Sequence, residues 1–334
     1  MGNRPYFAML KKRFWVTLVF AFLLPLLLLV WVKQPILIFS EAERSAQADA
    51  SLLEKHTRML AEDFVPRDFA HPENLNATAA YIRAEFEQTN GRVSDQPFVI
   101  DGVEYKNVIL ELGPPIDESA SVIVLGAHYD AFDVYPAADD NASGVAGLLE
   151  LSRLLDGVEL RKTVQLVAYT LEEPPFFRTA GMGSAQHATA IKDTNVPVEL
   201  MISIEMIGYF SDEPNSQRYP IGAIEWLYPT TGNFIAVIGR FDQGLVVRNV
   251  KQSMLAGSNL PVESIAAPPN VVPGIDFSDH LNYWKYDYPA VMITDTAFNR
   301  NFAYHTPDDT ADRLDYARMA EVVNGIYVVV LDAQ

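Results

Sequence analysis

Hydrophobic and polar residues alternate along most of the chain with the two periods that distinguish helices from strands. Apolar positions three and four residues apart predict amphipathic helices, whereas short, nearly continuous apolar runs predict buried strands. Because the two kinds of segment alternate, we expect an α/β protein with a mostly parallel central sheet flanked by helices. The helices are expected over Leu52–Phe64, Ala79–Phe86, Ser143–Leu155 and from about Ala311 onward. The strands are expected over Asn107–Leu112, Ser121–Ala127, Thr163–Thr170, Glu199–Glu205, Phe234–Arg240 and Pro289–Thr294.

The N-terminus departs from this pattern, because residues 14–32 form a run of 19 residues without a charge. A helix needs about 17–25 apolar residues to span a bilayer. Lys11, Lys12 and Arg13 precede the run, and basic residues favour the cytoplasmic side. A cleaved signal peptide is the alternative, but its apolar core is shorter, and the nearest small-x-small site, at 46–48, lies well past the run. We therefore expect an uncleaved transmembrane helix with its N-terminus in the cytoplasm and the body in the periplasm or outside the cell.

These features divide the chain into four parts. A basic cytoplasmic tail (1–13) precedes the apolar span, and a polar stalk (33–50) connects the span to one large domain (51–334). The stretch 210–288 is rich in Pro, Asn and Tyr and has weaker periodicity, so we expect it to be an insertion over the sheet edge and the site.

Composition narrows the chemistry that the domain can perform. The 334 residues include no cysteine, which excludes disulfides, cysteine-ligated zinc and a cysteine nucleophile. All 43 acidic residues follow residue 33, and the net charge is −18. So acidic a body disfavours nucleic acid, whose binding depends on neutralised phosphates. Any metal site must therefore use His, Asp and Glu, and an acidic body suits cations.

Carboxylate and imidazole side chains follow four of the predicted strands. Ligands of α/β folds gather beyond the carboxyl ends of the strands, so these four segments are expected to converge. One strand-end acid is usually a solvated residue or a helix cap, but four converging segments predict a metal site. The residues concerned are His128, Asp130, Asp139, Asp140, Glu172, Glu173, Glu205, Asp295 and His305.

Eight short segments carry a family resemblance. They are ATAAYIRAEF (77–86), NVILELG (107–113), GAHYD (126–130), ADDNASG (138–144), EE (172–173), SIEMIG (203–208), SDH (278–280) and YHTPDDT (304–310). In their order and spacing they resemble the MH-clan zinc exopeptidases, a family that includes aminopeptidase S, aminopeptidase Y and glutamate carboxypeptidase II, with glutaminyl cyclase as a relative. The likeness runs from about residue 52 to the C-terminus, and it implies the zinc-exopeptidase fold.

The resemblance implies two zinc ions per chain. Asp139 would bridge them, with His128 and Glu205 on one ion and Glu173 and His305 on the other. Imidazole nitrogen and carboxylate oxygen are ligands that zinc accepts, and catalytic sites leave one position open for water.

The resemblance also implies three catalytic residues. Adjacent residues of an extended pair point to opposite sides, so Glu172 can face the substrate while Glu173 faces the metals. Glu172 would then be the general base for a metal-bridging water. Asp130 fits the carboxylate that orients the imidazole of His128. Tyr304 is expected to donate a hydrogen bond to the oxyanion.

Two departures from the family pattern concern the substrate side of the site. The family usually has Asp where this chain has Glu205. The loop at 174–182 is longer than usual, so Phe176, Phe177 or Arg178 either lines the substrate pocket or anchors a surface loop.

Other polar residues are expected to have structural roles. Asp140 is interpreted as a helix cap, His280 as a structural residue at a helix start and Asp309 as a turn residue, and His187 is given no role. The leading functional hypothesis is a membrane-anchored dizinc metallo-exopeptidase, an aminopeptidase that acts on peptides. A glutaminyl cyclase-like acyltransferase and a non-catalytic, peptidase-like surface module are the alternatives. The side-chain preference and the oligomeric state stay open.

Overall fold

The computed structural model of the protein describes residues 20–36, 47–116 and 121–334. Helix α1 comprises residues 20–33. The further helices are α2 (Ala50–Arg58, continued by a wider turn to Asp63), α3 (Pro72–Phe86), α4 (Gly144–Leu155), α5 (Gly183–Thr194), α6 (Gly222–Glu225), α7 (Gly244–Gly257), α8 (His280–Trp284) and α9 (Tyr316–Asp332). The strands are β1 (Arg92–Ile100), β2 (Val103–Leu112), β3 (Val122–His128), β4 (Thr163–Tyr169), β5 (Val198–Glu205), β6 (Ile235–Arg240), β7 (Val262–Ala267) and β8 (Ala290–Thr294).

These strands form one mixed sheet in the order β1-β2-β4-β3-β5-β8-β6-β7. Its four central strands, β4, β3, β5 and β8, run parallel. The pairs β1–β2, β2–β4 and β6–β8 are antiparallel. The prediction of a mostly parallel sheet was therefore wrong toward both edges. At one edge the cause is local: Asp101 and Gly102 both have positive φ, and the tight turn reverses the chain without a helical crossover.

The sheet separates two apolar layers. Alternate residues of β3 face opposite sides: Ile123 belongs to the cluster shared with α2, α3, α4, α7 and α9, whereas Val124 belongs to the cluster shared with α5 and α8. Strands buried on both faces read as continuous apolar runs, which is why the central strands were recognisable from the sequence. The α/β class with flanking helices is thus confirmed.

The stretch 210–288 extends the sheet, and does not merely cover it. It supplies β6 and β7, of which β7 is an edge strand, and α7 packs beneath them. The loop that follows β7 returns toward the carboxyl ends of the central strands, where it contributes Ser278 to the site described below.

The two described ends of the predicted stalk contact the domain, whereas residues 20–28 of α1 are exposed. No helix of residues 20–36, 47–116 and 121–334 is long and apolar enough to cross a membrane. The predicted span begins at residue 14, outside the described residues. At one end of the predicted stalk, Gln34 is buried and accepts a hydrogen bond from Ser264 Oγ at 2.9 Å. At the other end, the Asp49 N–H donates to the Glu150 carboxylate at 2.7 Å.

Candidate metal centre

Five potential ligands meet at the carboxyl ends of the central strands. His128 ends β3 and Glu205 ends β5, so the parallel pairing of these strands brings the two side chains to one edge. Glu173 follows β4, Asp140 lies in the turn that leads into α4, and His305 lies in the loop after β8. The parallel central strands thus bring the strand-end side chains together at one edge of the sheet, as the sequence predicted.

Asp140 lies between two His–carboxylate pairs. Its Oδ1 is 3.4 Å from His128 Nε2, and its Oδ2 is 3.1 Å from His305 Nε2. His128 Nε2 is 3.5 Å from Glu205 Oε2, and His305 Nε2 is 3.2 Å from Glu173 Oε2. Each group of three offers ligand atoms within 4.8 Å of one another. The two groups share Asp140, so its carboxylate lies between both His–carboxylate pairs.

The shared carboxylate is Asp140 and not Asp139, which corrects the assignment made from the sequence. Asp139 accepts hydrogen bonds from the Gly208 N–H at 3.0 Å and from Asn301 Nδ2 at 2.9 Å, which directs its carboxylate away from the two histidines. Asp140 has extended backbone angles of φ −104° and ψ 87°. Successive side chains of an extended segment point to opposite sides, so only one of the two neighbours can face the site.

A hydrogen-bonded turn fixes Asp140 in this position. The Asp309 carboxylate accepts from the backbone N–H groups of Asp139 and Asp140 at 3.1 to 3.2 Å. The Asn141 side chain donates to the Ile204 carbonyl at 2.9 Å and so ties the turn to the end of β5. Asp309 was interpreted as a turn residue only, because its distance of about 170 residues from the turn it supports leaves no local signal.

The polar atoms at the centre fit a divalent cation. His128 Nε2, Asp140 Oδ2 and His305 Nε2 are buried and form no hydrogen bond. Burial raises the pKa of Glu172 well above its usual range, and burial together with Asp140 raises the pKa of Glu173 to about 8. Buried carboxylates this close repel one another, and a bound cation removes the repulsion. Two imidazole nitrogens with three carboxylates are ligands that zinc accepts.

Asp130 holds the acidic pair after β4 in place. Its carboxylate accepts from the Glu172 N–H at 3.1 Å and from the Glu173 N–H at 3.0 Å. The His128 Nδ1 atom lies 3.2 Å from the backbone carbonyl of Asp130 and 3.5 Å from its Oδ1. The imidazole is therefore oriented by the Asp130 backbone at least as much as by the carboxylate to which the sequence assigned this task. Glu172 Oε2 lies 4.0 Å from His128 Nε2, at the edge of the ligand cluster.

Tyr304 forms one wall of the site. Its ring stacks on His305 with centroids 3.7 Å apart, and Phe132 stacks on the other face of the imidazole at 4.0 Å. Burial, and then the carboxylates of Asp140 and Glu173, raise the pKa of Tyr304 far above its usual range. The phenol therefore stays protonated and can donate a hydrogen bond. The sequence did not single out Phe132, because an aromatic residue in a loop carries no signal of its partner.

Glu205 is held by a serine from the SDH segment. Ser278 Oγ donates to Glu205 Oε2 at 2.7 Å, and Ser203 Oγ lies 2.7 Å from Ser278 Oγ. The longer arm of Glu205 thus has a fixed partner at its end. His280 begins α8, in keeping with the structural role expected of it: it is buried, bonds to the Ile275 carbonyl at 2.8 Å and packs edge-on against Trp284.

The loop at 174–182 contacts the neighbouring loop, but its aromatic residues do not line the cavity beside the site. Arg178 pairs with Asp276 at 2.6 Å, and the Phe177 ring lies 5.8 Å from Phe277. Phe277 lines the cavity, whereas Phe176, Phe177 and Arg178 are absent from the described residues around it. Their contacts with Asp276 and Phe277 fit the anchored-loop alternative, and a role in binding substrate stays a prediction.

Comparisons with known proteins agree with this geometry. The model of peptidase family M28 matches residues 107–330. The chain is 46% identical to the uncharacterized protein YfbL of Escherichia coli, over 98% of this chain and 100% of that protein. It is 25% identical to the probable aminopeptidase YDR415C of Saccharomyces cerevisiae, over 79% of this chain and 66% of that one.

Solved structures share the fold. The zinc aminopeptidase BSAP of Bacillus subtilis superposes with a TM-score of 0.69 at 13% identity, over 87% of this chain and 96% of that one. A glutaminyl cyclase of Bacteroides thetaiotaomicron gives 0.61 at 16% identity, over 86% and 99%. The fold alone does not separate these two activities. The family match covers all five clustered side chains, and the chain therefore belongs to peptidase family M28 and is a metallopeptidase of the hydrolase class.

Proposed function

We propose that the protein is a dizinc aminopeptidase that removes N-terminal residues from peptides. The observation that carries this proposal is the position of Asp140 between two separate His–carboxylate pairs. His128 and Glu205 would hold one ion, Glu173 and His305 would hold the other, and Asp140 would contact both. When bound, two zinc ions supply Lewis acidity toward the peptide carbonyl and lower the pKa of water.

Glu172 is the proton carrier of the proposed reaction. It accepts a proton from the attacking water and donates it to the nitrogen that leaves when the peptide C–N bond breaks. Burial raises the pKa of Glu172 well above that of a solvated carboxylate, which makes it a stronger base. Asp130 holds Glu172 in position by accepting a hydrogen bond from the Glu172 backbone N–H. Tyr304, which stays protonated, donates to the oxygen on which negative charge develops.

A cavity of about 110 Å³ beside the centre suits the side chain of the N-terminal residue. Glu205 and Tyr304 are among the residues that line it, so the cavity adjoins the site. The walls come from the sheet and from the loops above it, and they are largely apolar: Ala236, Ile238, Ile265, Phe277, Met292 and Phe298. A hydrophobic N-terminal residue therefore fits this cavity better than a charged one.

Replacement of the general base tests the proposal. In Glu172→Gln we expect the metal content to be retained and kcat on N-terminally unblocked peptides to fall by about 10²–10⁴-fold, the range for general acid–base catalysis. The matched control is the adjacent variant Glu173→Gln, which should lose one metal equivalent. Near-normal turnover by Glu172→Gln would remove Glu172 from the mechanism, and the same loss of metal in both variants would contradict the division of roles.

The same assay separates the alternatives. A glutaminyl cyclase would release ammonia from peptides with N-terminal glutamine and leave every peptide bond intact. A non-catalytic module would bind little metal and release nothing. Release of free amino acids that stops when a chelator is added, and resumes with zinc, supports the peptidase.

The apolar run at 14–32 is part of the proposal as a membrane anchor. Its support is the length of the uncharged run and the three basic residues that precede it. The peptidase domain would then act on peptides at the outer surface of the membrane that holds it.

A further inference from the structure

The last turn of α1 is fastened to the domain by two residues, Trp31 and Lys33. Trp31 Nε1 donates to the Phe241 carbonyl at 2.8 Å, and its ring covers Gly244 at the start of α7. Lys33 Nζ donates to the Leu227 carbonyl and lies 4.9 Å from the centre of the Tyr228 ring. The Lys33 carbonyl in turn accepts from Ser264 Oγ at 3.0 Å. These contacts fix the place where α1 leaves the domain.

Beyond that point, α1 makes no buried contact. Residues 20–28 are all exposed, and the apolar side chains lie on every side of the helix: Phe20, Phe22, Leu23, Leu24, Leu26, Leu27 and Leu28. A helix that is apolar all round is stable only when something apolar surrounds it. No described part of the chain does so.

Four exposed apolar side chains of the domain surround the foot of α1. Trp226 is 90% exposed and Leu245 63% exposed, and Leu227 and Phe241 are each more than one-third exposed. Each of the four either contacts Trp31 or Lys33 or is the chain neighbour of a residue that does. They come from three different elements: α6 with its following turn, the turn after β6, and α7. We call these four residues the foot patch.

We propose that the foot patch is a lipid-contact surface, which seats the peptidase domain directly on the membrane that α1 enters. This proposal rests on the anchor proposed above. The foot patch is continuous with the anchor: it begins where the exposed apolar helix ends, and one apolar medium can cover both. Tryptophan is favoured at the membrane interface, where its ring is buried and its N–H stays near water.

The length of the apolar run agrees with this position. A run of nineteen residues, the length of the uncharged stretch 14–32, would measure about 28 Å as an α-helix, close to the hydrocarbon thickness of about 30 Å. The run ends beside Trp31 and Lys33, which are the residues that contact the domain. The interface is therefore expected at the level of the foot patch, and the stalk does not hold the domain away from it.

The absence of native cysteine allows a direct test with single cysteines in the full-length chain. Leu245→Cys in the patch, Leu27→Cys in α1 and Val99→Cys are labelled with an environment-sensitive fluorophore. The protein is reconstituted into phosphatidylcholine vesicles that contain nitroxide-bearing lipids, and quenching is measured. Val99 is the matched control, because it is 62% exposed and lies on β1, at the opposite edge of the sheet.

We expect quenching at residues 27 and 245 to be several-fold stronger than at residue 99. Quenching at 27 with none at 245 would overturn the proposal and leave the anchor intact, and disulfide cross-linking between two chains of the Leu245→Cys variant would then identify a second copy as the occupant. The absence of quenching at both positions would overturn the anchor and the patch together. Peptidase activity measured on each labelled protein reports separately on the catalytic proposal.

Discussion

Asp139 and Asp140 are chemically identical neighbours that the fold uses in opposite ways. Asp139 accepts two hydrogen bonds from distant backbone and amide groups, whereas Asp140 has a buried oxygen without a hydrogen bond. Burial alone would raise the pKa of Asp140, but the two histidines hold it below its usual range. Asp140 is therefore ready to bind a cation, and Asp139 supports the loops around it.

This difference predicts opposite outcomes for two isosteric variants. Asp140→Asn removes the shared charge and should abolish binding of both metals, together with peptidase activity. Asp139→Asn should keep the metals and cost about 1–3 kcal/mol of folding free energy, because one of its hydrogen bonds loses its acceptor. Metal content after dialysis and urea unfolding measure the two effects. Metal loss in Asp139→Asn with retention in Asp140→Asn would restore the assignment made from the sequence.

His187 contributes a defined part of the pH dependence of stability. It is buried on α5, with Nδ1 2.6 Å from the Tyr283 hydroxyl, and burial lowers its pKa to about 3. In the unfolded chain this histidine has an ordinary pKa of about 6.5. Between about pH 6.5 and pH 3, His187 is therefore protonated in the unfolded chain and neutral in the folded one. The stability that His187 contributes is therefore fully present above about pH 6.5 and declines as the pH falls toward 3, by about 2 kcal/mol at pH 5.

The variant His187→Gln should lose this pH-dependent part. Between pH 7 and pH 5, its free energy of unfolding should fall by about 2 kcal/mol less than that of the parent protein. The comparison removes contributions common to both proteins, such as metal release in acid. Parallel curves for the two proteins would show that His187 is not the source. The sequence pattern indicated no role for this histidine, and in the structure it lies away from the metal centre, among the tyrosines packed between α5 and α8.

At the scale of elements, the helices and strands that the sequence predicts are those whose own residues carry a strong hydrophobic pattern. The central strands were recognisable because burial on both faces makes them continuous apolar runs. Strand β1 was missed, since its half-exposed residues give only weak alternation, although Asp101-Gly102 is a hairpin signal. The direction of β6 could not be predicted, because a strand that pairs with β8 from across the chain carries no local sign of its orientation.

The same limit applies to the site. The four strand-end segments were predicted to converge, and the structure brings His128, Glu173, Glu205 and His305 together. Ser278 and Asp309 were not recognised as supporting residues, because their hydrogen bonds join segments 73 and 170 residues apart. Sequence spacing reports which segments meet at a sheet edge, and not which neighbouring side chain turns inward.

The cavity residues on β6, β7 and β8 allow a prediction about which N-terminal side chains the enzyme prefers. Ala236 of β6 is paired with Thr294 of β8 and with Glu263 of β7, and all three line the cavity. Ala236→Leu adds methyl and methylene groups to the wall of the cavity and so reduces the space for a substrate side chain. We expect kcat/KM for leucyl and phenylalanyl substrates to fall by about 10-fold or more, the scale of a few lost methylene contacts. The alanyl substrate, measured on the same variant, is the control and should be affected least. Equal losses on all substrates would mean that the cavity does not bind the N-terminal side chain.

At the scale of the whole molecule, positive and negative charges are separated along the sequence. The first 33 residues contain five basic residues and no acidic one, whereas residues 34–334, the stalk and the domain, carry all 43 acidic residues. The acidic domain favours cationic substrates such as the protonated N-terminus of a peptide, and its field raises their local concentration near the centre. The basic tail favours retention on the cytoplasmic side of a membrane. We therefore expect the basic N-terminal tail and the acidic domain to lie on opposite sides of a membrane.

This asymmetry predicts the topology of the full-length protein. Lys11, Lys12 and Arg13 precede the apolar run, so the tail should stay in the cytoplasm and the domain should face outward. Protease added to spheroplasts should digest the domain without permeabilisation, and the mature N-terminus should still include the apolar run. The matched control replaces the three basic residues by serine, which should increase the protected fraction because the orientation signal is weakened. Digestion only after permeabilisation would reverse the orientation, and a mature N-terminus near Asp49 would show that the run is a cleaved signal and not an anchor.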